Sequence, residues 1–232
     1  MKNVLIMGGT SDIGLSLANY FKNNGHRVFV GYHNNYQDED DIIFIKCDVT
    51  KENDIDNTIK KIIDEYGKID ILINLASISM DNSFLNKTKD EFMKVLEVNL
   101  VGTFLCNQIY SRYIKDGLII NMGSTDGIDT YSEYSLDYSI SKAGIINLTR
   151  WISNYTTNKV ICLCPNWIDS DSTNSINKEY LNNELKRIGQ SRLITLKEIN
   201  ESIDKILNSE INSGDIYRID VKDDKLWIEK VH

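Results

Sequence analysis

Proline is nearly missing from this chain of 232 residues: Pro165 is the only one. There is no Pro-, Gly- or Ser-rich linker, no internal repeat and no low-complexity tract, so a linear or tandem organisation is excluded. Histidine is almost as scarce. His26, His33 and His232 have no metal-ligand spacing to one another, and a His-dependent catalytic triad has little to draw on. Cysteine is limited to Cys47, Cys106, Cys162 and Cys164. No C-x-x-C pair is present, which argues against zinc, and no metal site is expected. Cys162 and Cys164 lie in an apolar run, where a period of two puts both thiols on one face of a strand. They read as small hydrophobes, reduced thiols of a cytoplasmic protein. No apolar run approaches the ~18 residues of a membrane span. The N-terminal run through Met7 is too short for a signal peptide and is broken by Gly8, Gly9 and Asp12. Positive charge is also in deficit: 26 Lys and Arg against 34 Asp and Glu leave a net charge of -8. A nucleic-acid footprint needs a clustered basic face, so nucleic acid is not an expected partner.

What the chain has is average globular composition, 41% hydrophobic and 26% charged, which excludes disorder, collagen and coiled coil. Short apolar runs alternate with longer stretches of helical periodicity. The strand candidates are Val4–Met7, Arg27–Tyr32, Ile42–Cys47, Ile69–Leu75, Leu118–Met122, Lys159–Cys164 and Asp215–Val221, most of them continuous Ile/Val/Leu runs as in strands covered on both faces. Helices are expected from about Ser11 to Asn23, Lys51 to Tyr66, Thr88 to Tyr113 as one long element, Tyr138 to Tyr155, and Glu198 to Leu207. Thr88-Lys89-Asp90-Glu91 is a capping box. The spacing predicts one α/β domain over 1–232, a doubly wound parallel sheet of about seven strands with helices on both faces. Only nine residues separate Tyr32 from Ile42. A crossover usually needs ~10–12, so its helix should be missing or reduced to a turn.

Two motifs suggest chemistry. Gly8-Gly9-Thr10-Ser11-Asp12-Ile13-Gly14 follows a strand and opens a helix, where glycine lets backbone approach a pyrophosphate and the helix N-terminus attracts it. It does not fit G-x-G-x-x-G, and fits G-x-x-x-G-x-G only if Asp12 stands for the middle glycine; alone it reads equally as a plain Gly-rich turn. Tyr138-Ser139-Ile140-Ser141-Lys142 places a phenol and an ammonium at i and i+4 on one helix face. A free Tyr, with a pKa of about 10, is a poor acid near neutrality. A fixed positive charge favours the phenolate. Such a Tyr could then exchange a proton with a carbonyl oxygen that receives hydride. Tyr155-Thr156-Thr157-Asn158-Lys159 repeats the spacing but leads straight into a strand, and reads as chance. Ser124 lies just past a strand's carboxyl end, 14 residues before Tyr138. Ligands of open α/β sheets bind at that end.

With these residues in order, the chain resembles the short-chain dehydrogenase/reductase family, classical type, over nearly its whole length. It is nearest in look to the 3-oxoacyl-carrier-protein reductases. The glycine turn matches Gly8, Asp12 (altered) and Gly14. The Asp-Val element that holds the adenine matches Asp48-Val49, and N-N-A-G matches Asn74-Leu75-Ala76-Ser77. The helix asparagine matches Asn99 in Asn99-Leu100-Val101-Gly102. The Ser, Tyr and Lys match Ser124, Tyr138 and Lys142. Pro-Gly beside the nicotinamide matches Pro165-Asn166, followed by Trp167, Ile168 and Ser170. Asp12, Ser77 and Asn166 each replace a glycine.

The resemblance implies a Rossmann-like fold and a hydride-transferring oxidoreductase. Tyr138 would be the general acid in reduction, with Ser124 orienting the carbonyl. Lys142 would lower the Tyr138 pKa and hold the nicotinamide ribose. Asn99 would position a water connecting Lys142 to solvent. The cofactor site would comprise Gly8, Thr10, Ser11, Asp12, Ile13 and Gly14; Tyr32, His33 and Asn34 at the ribose end; Asp48, Val49, Asn74, Leu75 and Ala76; and Pro165, Asn166, Ile168 and Ser170, beside Tyr138 and Lys142. An acid ending the second strand would select NAD and repel the 2′-phosphate of NADP. None stands at 31–33, so NADP(H) is favoured and NAD(H) remains possible, with Asp38-Glu39-Asp40-Asp41 read as a solvated loop. The substrate is a small or medium carbonyl compound met by a substrate loop at about 167–195, a 3-oxoacyl thioester being one candidate. A pteridine or small-ketone or sugar reductase, or a catalytically silent NAD(P)-binding sensor, are the alternatives. An acidic carrier protein would find a basic rim in Arg112, Lys115 and Lys159, but would be repelled by Asp126, Asp129, Glu133 and Asp137. The ending, Lys222 to Ile228, reads as a small hairpin and resembles that of pteridine reductases. Phe104, Ile109 and Tyr113 on one helix, with Ile145, Leu148, Trp151 and Ile152 on another, exceed what one sheet face can cover. A homo-oligomer, dimer or tetramer, is therefore expected, with no membrane partner.

Overall fold

A computed structural model describes residues 1–36 and 39–231. Asp38 of the acidic run and His232 lie outside the described residues. Eight strands form one sheet in the order β3-β2-β1-β4-β5-β6-β7-β8. They are β1 (Asn3–Met7), β2 (Arg27–Tyr32), β3 (Ile42–Lys46), β4 (Ile71–Asn74), β5 (Leu118–Met122), β6 (Lys159–Pro165), β7 (Ile216–Lys222) and β8 (Lys225–Val231). Pairings from β3 through β7 are parallel. β8 is antiparallel to β7 through a tight turn at Asp223 and Asp224, both in the left-handed region. The expected hairpin thus adds its return strand to the main sheet, which makes eight strands rather than about seven.

Both faces are covered, which is why the strands carry unbroken apolar runs. Val4, Ile6, Val28 and Val30 face α1 (Asp12–Asn23) and α8 (Leu196–Leu207), where Leu17, Phe21, Ile199 and Ile203 close the core. Leu5, Met7, Phe29 and Leu72 face the other way, onto Ile55 and Ile59 of α2 (Glu52–Tyr66) and Ile109 and Tyr110 of α4 (Gly102–Tyr113). The crossover between Tyr32 and Ile42 has no helix among its described residues, as its length predicts.

Two elements differ from expectation. The helix from Thr88 is not continuous. α3 (Lys89–Leu96) passes through a π-helical turn, Glu97–Val101, into α4. One-turn π segments mark places where a side chain is taken out of helical register for another purpose, and here that side chain is Asn99. The region after β6, expected as a substrate loop, holds two helices, α6 (Asp171–Asn174) and α7 (Lys178–Ile188), and the second carries Leu181, Leu185 and Ile188 at helical spacing. Their punctuation was visible in the sequence: the Asn177 side chain caps the amides of Glu179 and Tyr180, and Gly189 stops the helix at φ 73°.

Candidate active site

The parallel register aligns the strand ends at one edge of the sheet. Met7 of β1 stands beside Asn74 of β4, which stands beside Asn121 of β5. The chain leaves β1 into Gly8, whose φ of 75° favours glycine, and a Cβ there would lie 2.5 Å from the Ala76 backbone. Leu75 donates its N–H to the Met7 carbonyl at 2.9 Å, so the Asn74-Leu75-Ala76 segment lies directly over the turn. Gly14 is equally constrained, since its Cβ would meet the Gly9 backbone at 2.5 Å. Ser11 caps α1 by accepting from the Gly14 amide at 3.2 Å. First-turn amides of a helix lack intrahelical acceptors, so those of Asp12 and Ile13 are open to an anion. This cradle fits a dinucleotide's pyrophosphate: backbone approach that any Cβ would block, and amides at a helix start.

The three glycine replacements do not strain the chain. The non-glycine residues with positive φ are Asp41, Asp116, Asp223 and Asp224 among the described residues, so Asp12, Ser77 and Asn166 adopt ordinary backbone. Each has found other work or none. The Asp12 carboxylate accepts from the Asp171 amide at 2.5 Å, joining the phosphate turn to the segment after β6. Asn166 donates to Asp220 at 3.3 Å and accepts from the Trp167 amide at 3.0 Å. Ser77 is exposed. Ile168 is buried and pairs with Ile194, while Gln190 bonds both the N–H and the C=O of Trp167 at 3.1 and 2.8 Å. The 167–195 excursion is therefore closed at its base. Ser170 caps α6 at the Thr173 amide.

β2 terminates at Tyr32, whose ring meets that of Tyr36 at 5.5 Å. His33 lies 3.5 Å from Asp48 and Lys51 lies 3.4 Å from it. Burial works to raise the Asp48 carboxyl, but the bonds from Thr50 and the His33 and Lys51 charges outweigh it and hold the group below its ordinary range. Val49 packs over Gly102, where a Cβ would meet its Cγ2 at 2.8 Å, which places this element against the π turn of Asn99. Glu39 of the acidic run accepts from Asn19 of α1 at 2.8 Å, and Asn34 is exposed.

The proton-handling groups meet at the same edge. α5 (Leu136–Ile152) carries Tyr138 and Lys142 on one face, and the Lys142 Nζ lies 5.2 Å from the centre of the Tyr138 ring. That ammonium donates to the Met122 carbonyl at 2.9 Å and is almost fully buried. Burial pulls the Lys142 pKa down to about 8, with Cys162 and Cys164 pushing the other way. The Tyr138 phenol moves oppositely to expectation: burial, then the Asp126 carboxylate, raise its pKa, while its hydrogen bond with Ser124 lowers it. Lys142, spent on a backbone carbonyl, does not overcome that burial. Ser124, in extended backbone after β5, also accepts from the Asp126 amide at 3.1 Å. Gly123 is required because a Cβ would strike both Cys164 and Cys162 sulfurs, which share one strand face as the period of two predicts. All four cysteines are free and buried.

Asn99 is wholly buried and grips the segment after β4. Its amide accepts from the Ile78 N–H at 2.8 Å, donates to the Ile78 carbonyl at 2.9 Å and donates to Ser141 at 3.1 Å. The Asn99 main-chain carbonyl accepts from Thr103 at 2.7 Å. Asn74 donates to Asn121 at 2.8 Å within the sheet, and Asn107 donates to the same oxygen at 2.9 Å.

The charges around the crevice correct two expectations. Of the four carboxylates expected to repel an acidic partner, only Glu133 is exposed without such a role. Asp126 is turned inward to Ser139 at 3.2 Å, Asp129 accepts two bonds from Arg218 at 2.7 and 2.8 Å, and Asp137 is buried against Lys87 at 2.9 Å. The expected basic rim is not at the crevice at all. α4 runs back across the sheet, so Arg112, Lys115 and Lys159, at the helix end, the following turn and the first residue of β6, sit at the opposite edge. The second Y-x-x-x-K is also explained, with Tyr155 exposed and stacked on Trp151 at 4.2 Å.

A parallel sheet with this strand order and a glycine turn at the point where the order reverses is the architecture of dinucleotide-binding proteins. At the same carboxyl edge of the sheet stand the Tyr138 phenol, the Lys142 ammonium and the Ser124 hydroxyl. The chain belongs to the short chain dehydrogenase family, whose model matches residues 2–181. It is 30% identical over 207 residues to the 3-oxoacyl-[acyl-carrier-protein] reductase MabA of Mycobacterium tuberculosis, covering 85% of this chain and 82% of that protein. It is 28% identical over 228 residues to the 3-oxoacyl-[acyl-carrier-protein] reductase of Bos taurus, covering 93% and 94%. A short chain dehydrogenase from Leptospira borgpetersenii, solved with bound NAD+, superposes with a TM-score of 0.85 at 27% identity, covering 94% of this chain and 91% of that one. No helix among the described residues is long and apolar enough to cross a membrane.

Proposed function

We propose that this protein is an NADPH-dependent carbonyl reductase whose substrate is a 3-oxoacyl thioester. The observation that carries the reading is the set of three groups at the carboxyl edge of the sheet: Tyr138 with the Lys142 ammonium 5.2 Å from its ring centre, and Ser124 just past β5. The substrate class follows the acyl-carrier reductases to which the chain is similar, and is favoured by the pairing of Asp129 with Arg218 and of Asp137 with Lys87 in the 124–138 loop. The 167–195 segment covers the acyl portion of the substrate.

The nicotinamide, when bound, supplies the hydride. The chain's residues do the rest. The carbonyl oxygen enters between Ser124 and Tyr138. Ser124 donates to it and fixes its direction. Tyr138 donates the proton as negative charge builds there, and the Lys142 ammonium stabilises the phenolate left behind. Burial of the phenol keeps it protonated until that moment. Lys142 also holds the nicotinamide ribose, and a water on the Asn99 carbonyl connects it to solvent. NADPH is favoured over NADH because β2 ends in Tyr32-His33-Asn34, with no carboxylate to repel a 2′-phosphate. A second copy of the chain covers the stripe of exposed Val101, Phe104 and Trp151 with half-buried Leu148 between them, and the protein works in the cytoplasm. Part of the apolar surplus on these helices is used within the subunit, where Ile109 and Ile145 are buried.

The test is NADPH consumption with acetoacetyl thioester, a pterin and simple diketones. Turnover of the thioester at a kcat/KM well above the others supports the reading. Turnover of the pterin alone makes it a pteridine reductase, and binding without turnover of any makes it a sensor.

A further inference from the structure

Lys87, like Lys142, is a lysine buried by the fold. Lysine is almost never fully buried, yet the Lys87 side chain is 3% exposed and its partner Asp137 is 0% exposed, with 2.9 Å between them. Lys87 lies in the segment between β4 and α3. Its ammonium also donates to the Met80 carbonyl in the same segment. Asp137 is the second residue of α5, immediately before Tyr138. One of its oxygens accepts from Lys87 and the other accepts from the Tyr138 main-chain N–H at 3.0 Å.

That last bond matters because α5 starts without an ordinary cap. Ser135, at the cap position, makes no side-chain bond to the first turn, and its hydroxyl is engaged with Ser139 and Ser132 instead. A helix start leaves amides without acceptors, and here Asp137 satisfies one of them from inside the helix. Lys87 holds Asp137 in a pose that does so while its charge is paired. Desolvating two charges is costly, and well-packed apolar residues would hold the fold as well. Geometry is what the pair adds. Its other end is the segment that Asn99 grips at Ile78, downstream of the Asn74-Leu75-Ala76 stretch over the glycine turn. The segment is thus tied to the start of α5 by Lys87 and to the π turn by Asn99.

We propose that Lys87 and Asp137 are positioning residues for Tyr138, coupling the placement of its phenol to the segment that follows β4. Neither touches the reacting atoms. The inference rests on the reading of Tyr138 as the proton donor.

The experiment compares Lys87→Met, Asp137→Asn, the double variant and Tyr138→Phe, each in the full chain. NADPH fluorescence titration counts competent sites, melting confirms folding, and kcat and KM for acetoacetyl thioester are expressed per NADPH site. A displaced catalytic group costs rate up to about 100-fold even when the altered residue is remote. Each single variant should therefore lose roughly 10- to 100-fold in kcat per site. NADPH affinity and KM should hold within about twofold, since the binding surfaces are untouched. The double variant, which removes both charges and keeps an amide oxygen for the Tyr138 N–H, should recover part of that kcat. A lowered melting temperature with unchanged kcat per site would mean that the pair serves stability alone and would overturn the proposal. Should Lys87→Met fail to fold, Lys87→Arg answers the same question, because a planar guanidinium cannot reproduce the ammonium's two bonds. Retained activity in Tyr138→Phe would instead remove the reading of Tyr138 and leave the measured coupling of the pair standing as a separate fact.

Discussion

Lys142 donates to the Met122 carbonyl at 2.9 Å while its ammonium lies 5.2 Å from the Tyr138 ring centre, so the cation stands near the phenol and is held by the strand rather than by it. Proximity alone does not make Tyr138 acidic: burial and Asp126 raise its pKa in spite of the lysine. A phenol kept protonated suits donation to a developing alkoxide.

Tyr138→Phe should lower turnover by at least ~10²–10⁴-fold, the usual worth of a general acid. NADPH affinity should be nearly unchanged, because the ring is kept. Tyr155→Phe, on an exposed ring, should leave kcat within about twofold of the parent. Steady-state kinetics beside fluorescence titration separate the two. Near-normal reduction by the Tyr138→Phe variant would remove the mechanism.

The rate of reduction should fall as pH rises through about 8, where Lys142 gives up its proton and can no longer stabilise a phenolate. Stability should move the other way in that window. Lys142 is depressed on folding, so between about 8 and its ordinary 10.5 the unfolded chain binds the extra proton and its contribution to stability rises with pH. Tyr138 is raised, so above its ordinary 10.0 it contributes a loss. A kcat/KM profile flat from about pH 7 to 9.5 would contradict the role of the cation.

NADPH should bind at least about tenfold tighter than NADH, and Tyr32→Asp should narrow or reverse that ratio by placing a carboxylate at the end of β2. Equal dissociation constants in the parent protein would show that the short crossover builds a different ribose pocket.

Asp12→Gly should tighten NADPH several-fold. It removes a negative charge beside the phosphate turn and frees the Asp171 amide now bonded to that carboxylate at 2.5 Å. Weaker binding would mean that the Asp12–Asp171 contact instead shapes the site for the cofactor.

Light scattering at micromolar concentration should give a mass of at least twice 26.6 kDa. Trp151→Glu, on a side chain that is 59% exposed, should shift the protein toward monomer with its circular dichroism unchanged. A parent protein that runs as monomer would mean that Phe104 and Trp151 are tolerated in water.

Local physics made much of this protein legible in its sequence. Continuous Ile/Val/Leu runs specify strands buried on two faces, as Val4–Met7 and Leu118–Met122 are, because neither face of such a strand can be left to water. A nine-residue gap after Tyr32 leaves too little chain for a crossover helix. Tyr138 and Lys142 share a face because four residues make one helical turn. What the spacing could not supply is whatever depends on residues far apart in the chain. Lys87 meets Asp137 across 50 positions, Asp12 meets the Asp171 amide across 159, and Arg218 meets Asp129 across 89. Only the tertiary structure decides which charges are paired, and with them whether the crevice repels an acidic partner. It also decides the direction of the Tyr138 pKa, because desolvation depends on everything packed around the phenol and not on the lysine one turn away.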